Sequence, residues 1–220
     1  MKDIPFFQWE GCMATLVLSE IPYRQEAYIL VRLCPPAQLR PFLRECTAFC
    51  RAAGAGRVYA AADELPAWLP HAYDIVRLTC PREQLRQTDS PALTALDADN
   101  QALFLKLQRT LFQTVDGAVT YGLADCERMR AAQSGFLWLE GEAAVGIGEI
   151  RDNEICTVGV TRSGAGAALV CALSEKIQAP HLTVQTSSTN ARALRLYARL
   201  GFRQTQTVSR WALCLTEPQR

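Results

Sequence analysis

Apolar residues in the first half of this chain occur either in short continuous runs, typical of strands, or three and four residues apart, typical of a helix. Short runs rich in strand-forming residues, at 28–33, 57–61 and 74–79, predict three β-strands. Between the first two runs, apolar positions three and four residues apart predict an amphipathic helix over 39–53. Gly54 stands where a helix commonly ends on a residue in the left-handed conformation. The first half is therefore predicted to have the order strand, helix, strand, with one more strand after it.

The second half has a longer series of elements. Between residues 136 and 160, three apolar runs are separated by short turns, which predicts an antiparallel meander. Beyond the meander, helix and strand patterns alternate. The predicted helices cover 100–112, 123–132, 164–177 and 190–200, and the predicted strands cover 136–140, 143–150, 154–160, 181–186 and 202–215.

A polar segment bounded by prolines, residues 81–92, separates the two series and lacks periodicity. Such a composition favours a linker. We therefore predict an N-terminal α/β region over 1–80, a linker over 81–92, and a second domain over 93–220.

The charge and composition of the chain exclude several classes of function. The net charge is +1 and there is no basic run, so nucleic acid and anionic membrane surfaces are not expected partners. No apolar run approaches the length that spans a bilayer, and the first residues do not resemble a signal peptide. A cytoplasmic protein is therefore expected.

Cysteine is abundant, with nine residues, but the spacing of these residues does not predict a disulfide framework. No Cys-x-x-Cys pair occurs, and His71 and His181 are the only histidines, so we expect no metal site. The cysteines are expected to be reduced thiols that act as small buried hydrophobes.

The helix predicted at 190–200 carries the most specific pattern in the chain. Asn190 is a suitable N-cap because its side chain accepts a hydrogen bond from a free backbone N–H. Gly201 follows the last apolar residue, as expected at the end of a helix. The residues that share its apolar face are Ala193, Leu196, Tyr197 and Leu200. Helix physics explains this pattern, but it does not require a tyrosine just before the end.

This segment resembles the closing motif of GNAT-type N-acetyltransferases, Asn-x-x-Ala-x-x-Leu-Tyr-x-x-x-Gly-Phe. The matching residues are Asn190, Ala193, Leu196, Tyr197, Gly201 and Phe202. The resemblance covers about residues 93–215, since 136–148 are similar to the family's central hairpin and 155–160 to the strand before its coenzyme loop. It implies a mixed α/β fold with a mostly antiparallel twisted sheet flanked by helices.

Residues 161–170 resemble the family's pyrophosphate loop, Arg/Gln-x-x-Gly-x-Gly/Ala. Gly164 and Gly166 lack a Cβ atom, so a phosphate can approach the backbone, and the first turn of the following helix offers free N–H groups. Arg162 adds positive charge. The same register puts Thr161 where the family has Arg or Gln, a departure that bears on coenzyme affinity.

The resemblance also implies contacts with acetyl-CoA. In the family, backbone groups of the strand before the loop pair with the pantetheine arm, and an N–H there stabilises the oxyanion. Asn190 is implied near the coenzyme, with helix capping as its alternative role. The implied contacts are Val158, Val160, Arg162, Ser163, Gly164, Ala165, Gly166 and Asn190.

Acyl transfer from a thioester to an amine needs a base for the amine and benefits from an acid for the thiolate. By resemblance, Tyr197 is the acid, and its alternative is a purely structural role on the apolar face. Glu154 is the predicted base, directly or through a water molecule. Glu149 is its competitor, and both carboxylates also fit ordinary charges at the end of a hairpin.

Taken with the resemblance, these residues favour an N-acetyltransferase that acts by direct attack on a small-molecule amine or a peptide N-terminus. The alternative is a non-catalytic acyl-CoA-binding or interaction module on the same fold. The strand–helix–strand order of residues 1–80 echoes 158–184, which suggests a degenerate GNAT-like half without a phosphate loop. A homodimer stays open.

Overall fold

The computed structural model describes residues 2–62, 65–141 and 143–214. They form two compact units, Met1–Asp74 with Ser209–Arg220, and Ile75–Val208. Every residue predicted for the site lies in the second unit. Among the described residues, no helix has the length and apolar character needed to cross a membrane.

The elements of the first half are β1 (Ile4–Trp9), β2 (Cys12–Val17), α1 (Ile21–Arg24), β3 (Glu26–Leu33), α2 (Leu39–Ala52), β4 (Arg57–Ala61) and β5 (His71–Pro81). Those of the second half are β6 (Thr94–Ala95), α3 (Gln101–Phe112), α4 (Leu123–Ala131), β7 (Gly135–Glu140), β8 (Ala143–Arg151), β9 (Glu154–Val160), α5 (Gly166–Ser174), β10 (His181–Ser187), α6 (Ala191–Leu200) and β11 (Arg203–Leu213). Residue 215, the predicted end of the last strand, lies outside the described residues.

In the first unit the strand order is β1-β2-β3-β4, followed by the end of β11. The α2 helix buries Phe42, Cys46 and Cys50 completely against this sheet and ends at Gly54, whose φ is +103°. The predicted helix and its two flanking strands are therefore present. The hairpin β1–β2 was not predicted, because Met13 and Val17 on the less buried face of β2 obscure the alternation of its pattern.

The second unit holds the strands β5-β10-β9-β8-β7-β6 in that order. Only β9 and β10 pair in parallel, and the other neighbours with a recorded register are antiparallel. Helices α5 and α6 pack in one apolar cluster with Val158 and Val160, whereas α3 and α4 pack in another with Leu137 and Ile147. The predicted mixed α/β fold, a mostly antiparallel sheet flanked by helices, is confirmed.

The α5 helix lies close to β8 because two residues of that strand have no side chain. A Cβ atom at Gly148 would lie 2.5 Å from Leu173, and one at Gly146 would lie 3.0 Å from Leu169. The glycines of this hairpin therefore bring α5 down onto the sheet, which fixes where the helix begins.

The two halves repeat one topology. The series β1-β2-β3-α2-β4 and β7-β8-β9-α5-β10 each consist of two antiparallel pairings and then a parallel pairing across a helix. The predicted similarity between the N-terminal half and residues 158–184 is therefore present in the order and pairing of their elements.

Residues 81–92 belong to the second unit and make close contacts with other residues of it. Arg82 donates from Nε to the carbonyl of Ala179 at 3.0 Å and from Nη1 to that of Ser174 at 3.1 Å, and its Nη2 donates to Ile177. Leu85 is buried. Arg82 thus satisfies carbonyl groups at the last residue of α5 and in the segment that follows it. The domain boundaries at 80 and 93 stay a prediction.

We expect Arg82→Ala to destabilise the protein by about 1–3 kcal/mol, because three carbonyls lose a charged donor. For a unit of this size that lowers Tm by roughly 2–10 °C. Arg86→Ala is the matched control, since the bonds that Arg86 forms with Leu200 O and Cys171 Sγ use its backbone N–H and carbonyl, which the substitution keeps. Thermal denaturation measures both variants, and equal Tm values would contradict a packed role for Arg82.

Candidate functional site

The candidate site begins where β9 and β10 separate. Their parallel pairing joins only Glu154 with Thr183 and Ile155 with Val184. Beyond these residues the described parts of the two strands share no further recorded pairing, although β9 continues to Val160 and β10 to Ser187. A gap between two adjacent strands therefore opens toward the loop that leads into α5.

The register of β9 decides which backbone groups face this gap. Thr161 N donates to Val145 O at 2.9 Å, while Val160 lies opposite Gly146 and Val158 opposite Gly148. Hydrogen-bonded and non-bonded pairs alternate along an antiparallel ladder. Since Thr161 donates to β8, the N–H and C=O groups of Val158 and Val160 point away from β8 and into the gap, as the predicted pairing with a pantetheine arm requires.

A β-bulge lies just before this stretch. Glu149 pairs with Thr157 and Ile150 with Ile155, so Cys156 has no partner of its own on β8. An extra residue of this kind bends the strand and increases its local twist. The bulge thus lies where β9 leaves β10.

The loop after β9 is open at its centre. Arg162, Ser163 and Gly164 are exposed, whereas Ala165 is buried. Gly164 has φ of +87° and no atom within 4 Å of the place where a Cβ would lie. The α5 helix has a backbone bond from Leu169 N to Ala165 O. The N–H groups that come before Leu169 in the first turn have no helical carbonyl one turn earlier to which they could donate. These features fit an approaching phosphate.

The reason for a glycine at 166 differs from the predicted one. A Cβ atom at Gly166 would lie 2.9 Å from Cδ2 of Leu196, and the residue is buried. The missing side chain therefore makes room for α6 rather than for a ligand. Gly166 can offer a ligand only its backbone N–H at the start of α5.

Thr161 and Arg162, the two residues before Ser163, already form hydrogen bonds within the protein. Thr161 Oγ1 donates to the carbonyls of Ala144 and Val145, at 3.1 and 3.2 Å, so it points back toward β8. Arg162 forms two bonds of 2.9 Å to the carboxylate of Glu140. Arg162 is therefore the one cation of this loop that can turn toward a ligand.

Tyr197 is buried in the cluster that contains the side chains of Val158 and Val160. Its ring lies 5.6 Å from that of Phe202, and burial raises the pKa of the phenol above its usual value. The hydroxyl is therefore protonated at neutral pH. The position fits both the predicted acid and its alternative as part of the core.

Asn190 caps α6 as predicted, because its Oδ1 accepts from Ala193 N at 3.1 Å. The helix ends at Gly201, whose φ is +102°. Capping occupies the side-chain oxygen of Asn190. A contact with a coenzyme would therefore use its amide nitrogen.

Glu154 lies at the closed end of the gap. Gln185 donates to its carboxylate at 3.2 Å. Four residues of strand separate it from Val158, which is about 13 Å at 3.3 Å per residue. Its neighbour Ile155 is buried against α5, so Glu154 points to the opposite face of the sheet. One water molecule cannot span this distance, so a base at this position needs a chain of water molecules to reach an amine beside Val158.

Glu149, the competing carboxylate, is nearer to Val158 but is fully enclosed. It accepts from Tyr121 Oη at 2.5 Å, Arg128 Nη1 at 2.8 Å and Arg151 Nη2 at 3.1 Å. Both of its carboxylate oxygens already accept hydrogen bonds from a phenol or from guanidinium groups, so neither is free to receive a proton from an amine. Glu149 therefore organises the face of the sheet that α3 and α4 cover.

Tyr121 anchors the connection between α3 and α4. Its role was not predicted from the sequence. Its hydroxyl lies 3.0 Å from Thr157 Oγ1 on β9. The same connection is held at a second point, where Thr189 Oγ1 donates to Asp116 at 2.7 Å. The connection thus touches β9 beside the bulge and the residue before the α6 cap. An isolated tyrosine in a polar stretch gave no pattern from which these contacts could be predicted.

We expect Tyr121→Phe to destabilise the protein by about 1.5–3 kcal/mol, because Glu149 loses a donor to a charged group. Thr157→Val removes only a neutral hydrogen bond and is expected to cost about 0.5–1.5 kcal/mol. Urea denaturation of both single variants and the double variant measures these costs. If Thr157→Val proved the more harmful change, the phenol would not be the main donor to Glu149.

Within the described residues, no group of three or more His, Cys, Asp or Glu side chains is arranged to hold a metal ion. All nine cysteines are free thiols, and seven of them are buried. The thiols therefore contribute to packing, as their spacing suggested.

Residues 154–212 match the model of a family described as FR47-like proteins. The comparison with curated proteins by sequence gives no match. Among solved structures, the chain is similar to a conserved protein of unknown function from Staphylococcus epidermidis, with a TM-score of 0.60, 10% identity, and coverage of 94% of this chain and 91% of that one.

Two further solved structures carry the name of the GNAT, or GCN5-related N-acetyltransferase, family. A GCN5-related N-acetyltransferase from Sphaerobacter thermophilus has a TM-score of 0.58 and 14% identity over 92% of this chain and 75% of that one. A tandem GNAT protein from the clavulanic acid biosynthesis pathway has a TM-score of 0.52 and 13% identity over 92% and 78%. The resemblance carried by residues 190–202 is confirmed at the level of the fold.

Proposed function

We propose that this chain, whose fold is that of the GNAT-type acetyltransferases, transfers an acetyl group from acetyl-CoA to a primary amine. The acceptor is a small molecule or a peptide N-terminus, which attacks the thioester directly in a ternary complex. The observation that carries the proposal is the gap between β9 and β10. The backbone groups of Val158 and Val160 face it, and it leads to the open loop at Gly164.

Successive parts of the site, from β9 to the start of α5, suit successive parts of acetyl-CoA. The pantetheine arm pairs with the free edge of β9, as a further strand would. The diphosphate lies on the first turn of α5, where N–H groups and the positive end of the helix dipole favour an anion. Val158 N–H then lies beside the thioester carbonyl and donates to the oxyanion that forms there.

Acid and base lie on opposite faces of the sheet in this proposal. Tyr197 is on the face covered by α5 and α6, where the thiolate leaves, and it supplies the proton. The acceptor approaches from the face of α3 and α4, between Tyr121 and Glu154. Glu154 receives the amine proton through a chain of water molecules. This separation suits a reaction in which the amine enters and the thiolate departs on different sides.

Residues 1–80 are proposed to be a degenerate GNAT-like half without a coenzyme site. There, β3 pairs with β4 from Glu26 through Leu30, over the whole length of β4. Parallel pairing along the whole strand leaves no edge for a pantetheine arm. A cytoplasmic location and a homodimer stay predictions.

The alternative is a module that binds acyl-CoA without turnover. It is favoured by Thr161, which faces β8 instead of the loop, and by the distance of Glu154 from Val158. Both functions require the coenzyme to bind, so binding and turnover must be measured separately.

We expect acetyl-CoA to raise the Tm of the protein, since a ligand at 100 times its Kd stabilises the folded state by about 2.7 kcal/mol. Release of CoA across a panel of amines and short peptides then tests turnover. Stabilisation without release on any acceptor would favour the binding module. No stabilisation by acetyl-CoA, CoA or dephospho-CoA would contradict both functions.

We expect Tyr197→Phe to lower turnover at least about 100-fold, because a positioned acid typically contributes that much. The ring keeps its contact with Phe202, so the Kd for acetyl-CoA is expected to change little. Calorimetry and CoA release measure the two effects on the same sample. Unchanged turnover would mean that Tyr197 serves the core and is not the acid.

A further inference from the structure

We propose that Glu140 is an internal competitor of the coenzyme for Arg162, and that breaking this ion pair is part of coenzyme binding. The inference rests on the proposed acetyl-CoA site and concerns what regulates its affinity. Glu140 is the last residue of β7, and Arg162 is the second residue of the loop that precedes α5.

The pair has the geometry of a specific contact. Nη1 and Nη2 of Arg162 each donate to one carboxylate oxygen of Glu140, at 2.9 Å. The guanidinium carbon also lies 5.4 Å from the centre of the Trp138 ring. The planar group is therefore held in one place, next to a loop whose centre at Gly164 is open.

Arg162 cannot serve Glu140 and a diphosphate with the same two nitrogens. A guanidinium presents a flat fork, and both a carboxylate and a phosphate bind it in the bidentate form. Thr161 carries no charge, and its hydroxyl is hydrogen-bonded to carbonyls of β8. A diphosphate at the start of α5 must therefore bind without a cation from this loop or draw Arg162 from Glu140.

Because Arg162 and Glu140 are both exposed to solvent, Arg162 can exchange Glu140 for a phosphate at low cost. The two side chains are 55% and 48% exposed, and solvent screens an exposed ion pair so that it contributes little to stability. A diphosphate carries one negative charge on each of its phosphates, so as a whole it can displace a carboxylate that carries a single charge. The cost of displacement still appears in the coenzyme affinity, and it corresponds to about a two- to fivefold increase in Kd.

The experiment is a double-mutant cycle on coenzyme binding, with Glu140→Gln, Arg162→Gln and the double variant. Calorimetry at fixed low salt measures Kd for CoA and for dephospho-CoA. Glu175→Gln removes the same charge from an exposed residue just after the other end of α5 and serves as the control. Melting curves verify that each variant is folded.

We expect Glu140→Gln to tighten binding about two- to fivefold when Arg162 is present and to have no effect when Arg162 is replaced. Dephospho-CoA must behave in the same way, because the diphosphate and not the 3′-phosphate is the competitor. Glu175→Gln should leave Kd unchanged.

Three results would overturn the proposal: no effect of Glu140→Gln, weaker binding, or the same gain with and without Arg162. The last would indicate simple repulsion between Glu140 and the phosphates. If the unaltered protein binds neither compound, the proposed function itself fails, whereas normal binding without coupling removes only this inference.

Discussion

The short parallel pairing of β9 with β10 is the constraint on which the rest of the site depends. Two residue pairs hold the strands together, and the bulge at Cys156 lies where they part. Each further pairing would consume a backbone N–H and C=O that a ligand could use. The fold therefore keeps part of a strand edge unpaired inside a sheet, and it surrounds that edge with helices on both faces.

The N-terminal half shows what the same topology does without this gap. Its parallel strands β3 and β4 stay paired from Glu26 through Leu30, and their connection carries two prolines where the second half carries Gly164. Proline fixes φ and has no N–H to donate, whereas glycine lets a phosphate approach. The same order of elements thus gives one half with a gap suited to the proposed coenzyme and one half whose parallel strands stay paired.

Much of this arrangement could be predicted from sequence because it depends on local patterns. The α6 helix, its Asn190 cap and its Gly201 end follow from spacing and from backbone preference. The backbone direction at Val158 and Val160 followed from resemblance, and the register supports it. Local patterns could not reveal that Gly166 makes room for Leu196, that Arg162 binds Glu140, or that Tyr121 binds Glu149. Each of these contacts joins residues more than 20 positions apart, so only the folded chain brings them together.

The central claim is that the edge of β9 facing the gap receives the coenzyme, and residue-resolved amide exchange tests it most directly. The amides of Val158 and Val160 face the gap, whereas those of Thr157 and Gly159 face β8. Addition of acetyl-CoA should slow exchange at Val158 and Val160 and leave their two neighbours unchanged. Unaltered exchange at Val158 and Val160 under saturating acetyl-CoA would contradict the account.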